Sequence, residues 1–417
     1  MTMNAKRRRA QEKLAALPGV RPVRRPVSPG SGEEFDLYYV RCGRKSAHPL
    51  VIIPGGPGVA SVQVYRGLRR RAAAAGLDVI MIEHRGVGMS RHDDSGADLP
   101  PRALTVNQVV DDVAAVLDDA RVDSAVIYGT SYGTYIASGV GVRHPGRVRA
   151  MVLDSPLLSR HDIVVVRRAI RRLLLTGDSP ETAPLAPKVR KLVDAGAMTA
   201  SATQVVATIY GYGGATLLDR ELDLLLDGRK MLWWAISRFA TLSKLPYRYE
   251  EDLVSRIAFR ELDYAPEPDG LPLDPAVAER ETRTQRVTFE DEPYDLVAET
   301  PNFRWPTVVI SGGRDLITPP AVAQRVASLV PNAVLLKLPT MAHSALDFRE
   351  PAALSIAAAV CRGDLDGLAA QAPALDALPP RPSVRLLWKA IQVAAIAEGA
   401  LPTLLAPRPL WRRLRSA

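Results

Sequence analysis

The serine at position 131 has the surroundings that most clearly indicate chemistry. It is the central residue of a Gly-Thr-Ser-Tyr-Gly motif at 129–133, which follows an apolar run at 125–128 and precedes a segment of helical character. In that context the motif predicts a nucleophile elbow, a sharp turn between a strand and a helix that leaves the serine hydroxyl exposed. Glycines flank the serine because strand and helix approach each other closely there. We therefore interpret Ser131 as a nucleophile.

An acid and a histidine follow the serine in the order that such a nucleophile needs. The apolar run at 307–310 predicts a buried strand, and Asp315 lies in the loop that leaves it. A further predicted strand at 333–338 is followed by His343. A neutral imidazole can take the proton of an attacking serine, while a buried carboxylate holds its tautomer and stabilises the imidazolium. Asp154, directly after a predicted strand, is the alternative acid, and we favour Asp315.

Two glycine-containing loops precede the elbow. The predicted strand at 50–53 runs into Pro-Gly-Gly-Pro-Gly at 54–58. Backbone N–H groups of such a turn can point at a developing oxyanion together with the N–H of Tyr132. The second loop, Glu-His-Arg-Gly-Val-Gly-Met-Ser at 83–90, follows the predicted strand at 79–82. We interpret it mainly as a structural turn below the site, with His84 as a minor candidate for substrate contact.

In combination, these three motifs resemble the α/β-hydrolases of the prolyl aminopeptidase (proline iminopeptidase) and tripeptidyl aminopeptidase group. That group has His-Gly-Gly-Pro-Gly, Asp-x-Arg-Gly-x-Gly-x-Ser and Gly-x-Ser-x-Gly at corresponding points. The resemblance spans about 26–156 and 301–350 and implies an α/β-hydrolase fold, acyl-enzyme chemistry and Gly56 as the second oxyanion donor beside Tyr132. Pro54 stands where the group has histidine, and Glu83 where it has aspartate. The Pro54 difference bears on the aminopeptidase assignment more than on the hydrolase one.

The order of elements predicts how these loops are positioned. Alternating strands and helices favour a mostly parallel sheet with helices on both faces, preceded by an antiparallel strand at 35–40. The strand pattern stops after Asp154 and resumes at Thr307, with helical runs at 164–175 and 217–240 between them. We therefore predict a hydrolase core formed by 26–156 and 301–370, with a helical lid at 157–300 over the serine.

The lid is expected to determine which substrate is bound. An aminopeptidase must bind a free ammonium group, which calls for carboxylates inside a partly desolvated cleft. The candidate ammonium ligands are Glu250, Glu251, Asp252, Glu290, Asp291 and Glu292. Ordinary solvated lid charges are the alternative interpretation of each. Trp233 is a candidate pocket residue or equally a packing residue, and an esterase, lactonase or thioesterase would present an apolar pocket instead.

The net charge of +9 arises from the two ends of the chain, which together carry +12, whereas the residues between them carry about −3. Residues 1–25 hold eight basic residues against one acidic residue, and residues 371–417 hold seven against two. We predict a basic N-terminal tail at 1–25 and a basic C-terminal extension at 371–417 with a helix over 384–397. This distribution argues against a nucleic-acid substrate at the active site. The extension either docks on the body or on a second subunit, or lies at a membrane surface, which leaves the oligomeric state open.

Composition agrees with one enzyme domain and an insertion. The chain has 417 residues, of which 47% are hydrophobic, enough for a large core. Neither the two cysteines nor any His, Cys and carboxylate cluster has metal-ligand spacing, so we predict no metal and no cofactor. The basic N-terminus lacks the apolar region of a secretory signal, which favours a cytoplasmic location.

We interpret the chain as a cytoplasmic serine hydrolase that releases N-terminal residues from short peptides through an acyl-enzyme. The alternative within the same machinery is hydrolysis of a carboxylic ester, lactone or thioester. A catalytically silent hydrolase-fold protein that binds a small ligand is the alternative from a different class.

Overall fold

Eight strands form one sheet in a computed structural model that describes residues 4–242, 247–282 and 287–400. The strands are β1 Val20–Pro26, β2 Glu34–Cys42, β3 Leu50–Ile53, β4 Val79–Ile82, β5 Ala125–Thr130, β6 Val148–Asp154, β7 Thr307–Gly312 and β8 Ala333–Leu338. Their order in the sheet is β1-β2-β4-β3-β5-β6-β7-β8. β2 pairs antiparallel with both β1 and β4, and the remaining pairs are parallel. This is the predicted mostly parallel sheet with its early antiparallel strand, β2, and it has in β1 an edge strand that was not predicted.

Helices connect these strands and fill the interval between β6 and β7. In the first half of the chain they are α1 Ala5–Ala15, α2 Ser61–Val64, α3 Arg66–Ala74, α4 Val106–Asp119, α5 Tyr132–Arg143, α6 Asp162–Arg171, α7 Leu185–Asp194 and α8 Ala200–Leu226. In the second half they are α9 Met231–Leu242, α10 Ser255–Glu261, α11 Pro275–Thr282, α12 Leu296–Glu299, α13 Pro320–Leu329, α14 Ala345–Phe348, α15 Glu350–Arg362, α16 Ala372–Ala377 and α17 Pro382–Ala400. Helices α6 to α12 lie within the predicted lid.

The central strands are apolar on both faces because helices cover both sides of the sheet. Successive side chains of a strand point to opposite faces. Accordingly Val51 joins a core cluster with residues of α4 and α5, while Leu50 and Ile52 join a second cluster with residues of α3 and α15. Because β3, β5, β7 and β8 run parallel, their carboxyl ends meet at one edge of the sheet. The loops with the predicted site residues leave the sheet at that edge.

The expectation of a tail at residues 1–25 is wrong for residues 4–25, the part of this segment that the structure describes. The segment forms α1 and the edge strand β1, which pairs with β2 from Val20 to Pro26. Three of its basic residues have acidic partners far along the chain. Arg24 contacts Asp94, and Arg25 contacts Asp112. Arg7 is buried against Glu250. Local charge density indicated a solvated tail because those partners cannot be identified from the segment itself.

The lid has a hydrophobic core of its own. Leucine, valine and isoleucine side chains from α6 to α9 pack together, separately from the two clusters that flank the sheet. The helical run expected at 217–240 is two helices, since Gly228, with φ of 81°, lies in the turn between α8 and α9. Within α8, Gly214 breaks the helical geometry with φ of 70°. A side chain there would meet the Arg314 guanidinium at 3.0 Å, so glycine allows α8 to approach the loop after β7.

The predicted C-terminal helix is present as α17 and packs on the body, against α8 and α9. Trp388 stacks on Tyr212 of α8, with 4.9 Å between ring centroids. At the other end of α17, the buried Glu398 accepts hydrogen bonds from the backbone N–H groups of Met231 and Leu232, both at 2.8 Å. The described residues contain no helix of sufficient length and apolar character to traverse a bilayer.

Candidate active site

Ser131 occupies a strained turn between β5 and α5. Its φ of 52° and ψ of −125° place a non-glycine residue in a sparsely populated backbone conformation. A Cβ atom at Gly129 would lie 2.2 Å from the carbonyl oxygen of Gly133, and one at Gly133 would lie 2.1 Å from the carbonyl oxygen of Ile53. Both flanking positions thus require glycine, and the turn has the geometry expected of a nucleophile elbow.

Asp315 and His343 form a hydrogen-bonded pair in the loops after β7 and β8. The distance from His343 Nδ1 to Asp315 Oδ2 is 2.9 Å. Asp315 also accepts from the backbone N–H groups of Ile317 and Thr318, both at 2.8 Å, and from the Thr318 hydroxyl at 2.9 Å. Burial opposes ionisation of Asp315, but its contact with His343 and these hydrogen bonds hold the pKa below its ordinary value. Burial likewise opposes the charge on His343, and Asp315 nevertheless raises its pKa.

A hydrogen bond ties the loop of His343 to the end of β5. The Thr130 hydroxyl donates to the Ser344 hydroxyl at 2.9 Å. Thr130 immediately precedes Ser131, and Ser344 immediately follows His343. The sheet order, with only β6 and β7 between β5 and β8, and this bond bring the predicted nucleophile and the predicted base to the same edge of the sheet.

Asp154, the alternative acid, has a different set of partners. It accepts hydrogen bonds from the backbone N–H groups of Ala345 and Leu346, at 3.0 and 2.9 Å, and from the Tyr128 hydroxyl at 3.0 Å. Burial raises the pKa of Asp154, although these hydrogen bonds oppose the shift. The carboxylate thus anchors the first turn of α14, directly after His343. Asp315 is the acid that contacts the imidazole.

The glycine-rich loop after β3 lies directly against the elbow. A Cβ atom at Gly55 would be 3.1 Å from the Ser131 Cβ atom, and Gly56, with φ of 122°, lines the same cavity as Ser131. Tyr132 begins α5 beside them, and its hydroxyl lies 3.0 Å from His84 Nε2. Burial lowers the pKa of His84 to about 4. His84 therefore contacts the Tyr132 hydroxyl and helps to position this side chain. This role differs from the direct substrate contact that we considered for His84.

The loop at 83–90 is shaped by the carboxyl group of Glu83. This buried side chain faces the backbone N–H of Val62 at 2.9 Å and that of Met89 at 3.4 Å. Burial raises the pKa of Glu83 to about 7. A Cβ atom at Gly88 would overlap Glu83 Oε1 at 2.0 Å, so glycine is needed for the loop to fold over the carboxyl group. The loop is a structural turn, as the sequence indicated.

A cavity of about 1310 Å³ extends from Ser131 into the lid. Its wall combines residues from the elbow, the lid helices and α17. Among the predicted substrate-binding residues, Glu251, Glu292 and Trp233 line this cavity together with Ser131.

Glu250 and Glu290 are not part of the cavity wall, which corrects two of the predicted contacts. Both Glu250 carboxylate oxygens lie 2.7 Å from Arg7 Nη2, and one also accepts from the backbone N–H of Gly88 at 2.8 Å. Glu290 lies outside, with its side chain 70% exposed and 3.7 Å from Arg260. Glu250 is thus a structural anion, and Glu290 is a surface charge.

Three further carboxylates in the wall were not identified from the sequence: Asp162, Asp263 and Glu279. Burial raises the pKa of Asp162 to about 6, and burial also raises the pKa of Glu292 to about 7. Asp162 is the first residue of α6, where acidic residues are common in any helix, so its position gave no functional signal. Although several carboxylates line the cavity, the described residues contain no group of three His, Cys, Asp or Glu side chains placed to hold a metal ion.

Aromatic and aliphatic residues form another part of the same wall. Tyr212 packs between Phe348, at 4.2 Å between ring centroids, and Trp388, at 4.9 Å. All three line the cavity, as do further residues of the C-terminal helix: Val384, Leu387 and Ile391. The cavity therefore combines an apolar aromatic wall with several carboxylates. The aromatic cluster was not predicted, because Trp388 is far from Tyr212 and Phe348 in the sequence.

The chain is similar in sequence to known proteins. A family profile described as the α/β-hydrolase fold matches residues 48–177. A probable proline iminopeptidase of Streptomyces coelicolor is 24% identical over 160 residues, which cover 38% of this chain and 49% of that protein. A proline iminopeptidase of Neisseria meningitidis is 22% identical over 320 residues, which cover 76% of this chain and 89% of that protein. The match to the Streptomyces protein thus spans about half of its length.

A solved structure gives the same result for the fold. The proline iminopeptidase of Mycobacterium smegmatis superposes with a TM-score of 0.51 at 17% identity, covering 83% of this chain and 100% of that chain. At this identity the likeness concerns the fold alone. Together with the sequence relatives, it confirms the resemblance inferred from the three motifs.

Proposed function

Since this chain has the α/β-hydrolase fold and resembles the proline iminopeptidase group, we propose that it is a serine hydrolase that acts through an acyl-enzyme. Ser131 is the nucleophile, His343 the general acid and base, and Asp315 the residue that orients His343. The strained backbone of Ser131 and the contact between Asp315 and His343 support these roles.

The proposed reaction proceeds in two steps. Ser131 Oγ attacks the carbonyl carbon of the substrate while its proton passes to His343 Nε2, the ring nitrogen opposite the one that faces Asp315. Backbone N–H groups of Gly56 and Tyr132 stabilise the oxyanion of the tetrahedral intermediate. The intermediate collapses as His343 returns the proton to the leaving amine. A water molecule, activated by the same imidazole, then hydrolyses the acyl-enzyme and restores Ser131.

We propose further that the substrate is a short peptide with a free amino terminus, from which the enzyme releases the N-terminal residue. The observation that carries this proposal is the presence of Asp162, Glu251 and Glu292 in the wall of the cavity that contains Ser131. Carboxylates in a partly desolvated cleft provide charge-assisted hydrogen bonds to an ammonium group. A cavity of about 1310 Å³ also accommodates more than one residue.

The first test is a turnover screen that compares free and N-acetylated aminoacyl and peptide amides with acyl esters. If the carboxylates bind the substrate ammonium, acetylation should lower kcat/KM by about 10²-fold. A lost charged hydrogen bond of about 1.5–3 kcal/mol, together with an unpaired carboxylate, accounts for that scale. Ser131→Ala should lower kcat by several orders of magnitude and leave the fold intact.

Matched variants assign the effect to the cavity wall. Asp162→Asn, Glu251→Gln and Glu292→Gln should include at least one variant that loses activity on free amines and retains it on esters. Glu290→Gln is the control, because this neighbouring glutamate does not line the cavity. Equal rates on free and blocked amides would reject the aminopeptidase proposal. Full turnover by a folded Ser131→Ala variant would reject the serine mechanism.

Hydrolysis of an ester, lactone or thioester is the second candidate. The aromatic wall formed by Tyr212, Phe348 and Trp388 favours it, since an acyl chain could pack there without any ionic contact. In the same screen this candidate requires acyl esters to exceed amides and Trp388→Ala to impair ester turnover.

A further inference from the structure

The outer face of α17 is apolar although nothing in the described structure covers it. We define this outer face by the side chains that point away from the body: Leu386, Ala390, Val393, Ile396 and Ala397. Leu386 is 70% exposed, Val393 is 64% exposed and Ile396 is 56% exposed. Large apolar side chains grouped in this way on a protein surface mark an interaction site.

The opposite stripe of α17 holds the helix in place, so the outer face is not required for docking. Trp388 stacks on Tyr212, Ala395 is fully buried, and Glu398 binds the first N–H groups of α9. Inward residues recur every three or four positions and account for the contact with the body. The apolar outer residues therefore need another explanation.

The neighbouring start of α9 extends the apolar surface. Met231 is 68% exposed and Trp234 is 59% exposed. Because Glu398 binds the N–H groups of Met231 and Leu232, this end of α9 lies beside the end of α17. The Arg238 guanidinium lies 4.9 Å from the centre of the Trp234 ring. An exposed tryptophan with an adjacent cation is typical of residues at the headgroup level of a membrane.

The charges on and after α17 are almost all positive. Arg385 and Lys389 are exposed on the helix, whereas its acidic residue, Glu398, is buried under the N-terminus of α9. The sequence that follows, residues 401–417, contains four arginines, a tryptophan and no acidic residue. The turn before α9 contains Asp227, Arg229 and Lys230, one acidic residue against two basic ones. An apolar strip next to exposed basic residues is complementary to anionic lipid headgroups.

A second copy of the chain fits this surface less well. A twofold contact would bring the same basic residues of both copies together at one interface, which costs free energy. An anionic bilayer instead neutralises those charges and takes up the apolar side chains. We propose that the outer face of α17, together with the start of α9, binds the surface of an anionic lipid bilayer.

The same helix forms part of the cavity wall through Val384, Leu387, Trp388 and Ile391. Bilayer contact would therefore occur beside the cavity, not on a remote part of the molecule. The proposal does not depend on the proposed function, because lipid binding requires no reaction at Ser131.

Vesicle flotation of the full-length protein tests this proposal. Vesicles of phosphatidylcholine with about 30% phosphatidylglycerol should bind the protein, and phosphatidylcholine alone should bind it weakly. Raising the salt concentration should reduce the bound fraction because the attraction is partly electrostatic. Ser131→Ala should bind as the parent chain does, which separates this result from the catalytic proposal.

Two pairs of substitutions locate the contact. Leu386→Glu with Val393→Glu should lower the vesicle partition coefficient by about tenfold or more, since both the apolar contact and the charge complementarity are lost. Val164→Glu with Leu271→Glu is the matched control, because these exposed apolar residues lie elsewhere on the lid. Thermal unfolding should show that all four substitutions leave the fold intact.

Three outcomes would overturn the proposal. They are absence of binding to anionic vesicles, equal binding by both double variants, and equal binding to vesicles with and without anionic lipid. A concentration-dependent dimer that the α17 variant abolishes, without vesicle binding by the parent chain, would assign the face to self-association instead.

Discussion

Two buried aspartates, Asp154 and Asp315, follow strands at the same edge of the sheet, and their partners give them different tasks. Asp315 contacts the imidazole of His343. Asp154 instead accepts hydrogen bonds from two backbone N–H groups of the helix that follows His343. Residue type and position after a strand made both plausible as the catalytic acid. The distinction depends on hydrogen-bond partners, which the sequence does not reveal.

Replacing each aspartate by asparagine should separate catalysis from stability. Asp315→Asn should lower kcat by about 10⁴-fold, because His343 loses the acceptor that fixes its tautomer. Asp154→Asn should mainly lower the free energy of unfolding, by about 1–3 kcal/mol, since it disturbs the anchor of α14. Steady-state kinetics and urea unfolding measure the two effects. A severe loss of kcat only in Asp154→Asn would transfer the acid to the earlier strand.

Glu292 should make binding of amines depend on pH. Burial raises its pKa to about 7, so the carboxyl group becomes protonated as pH falls through 7. A protonated Glu292 cannot pair with an ammonium group, and KM for free-amine substrates should rise on the acid side of that value. Glu292→Gln should remove this dependence and leave a high KM at every pH.

An ester substrate is the control for the titration of His343, which affects kcat with both kinds of substrate. If KM for free-amine substrates changes by less than about tenfold between pH 5.5 and 8.5, Glu292 does not bind the ammonium group.

The elements near the site differ in how well the sequence predicts them. The helix α4 was predictable because its valine and leucine residues recur at helical spacing and are buried, and Thr105 caps it by accepting from Gln108 N–H. The lid was predictable as helices but not as a wall. A lid carboxylate lines the cavity, pairs with an arginine or faces solvent according to distant residues, as Glu292, Glu250 and Glu290 illustrate.

The helices α1 and α17, one in each terminal part of the described chain, both contact the lid. Arg7 reaches across the molecule to Glu250, and its guanidinium lies 4.9 Å from the centre of the Tyr247 ring. The Tyr247 hydroxyl in turn donates to the carbonyl oxygen of Arg7 at 2.9 Å. At the other end, α17 packs against α8 and α9. The N-terminal segment is thus part of the folded protein.

Replacing Arg7 by alanine should destabilise the protein by about 3 kcal/mol, because Glu250 would remain buried without its main cation. Arg91, 3.9 Å from Glu250, offsets only part of that loss. Urea unfolding measures the change, with Arg8→Ala as the control, since Arg8 is exposed on the same helix. Equal stability of the two variants would mean that the Arg7 contact does not hold the lid.

The position of α17 after the loops of the proposed catalytic residues has a consequence during synthesis. A ribosome makes the strands and loops that position Ser131, Asp315 and His343 before it makes Trp388 and its neighbours. A nascent chain that has just reached the last strand loops therefore holds every proposed catalytic residue while one wall of the cavity is missing. Enclosure of the cavity must wait for α17, so it follows the synthesis of every residue that we propose to be catalytic.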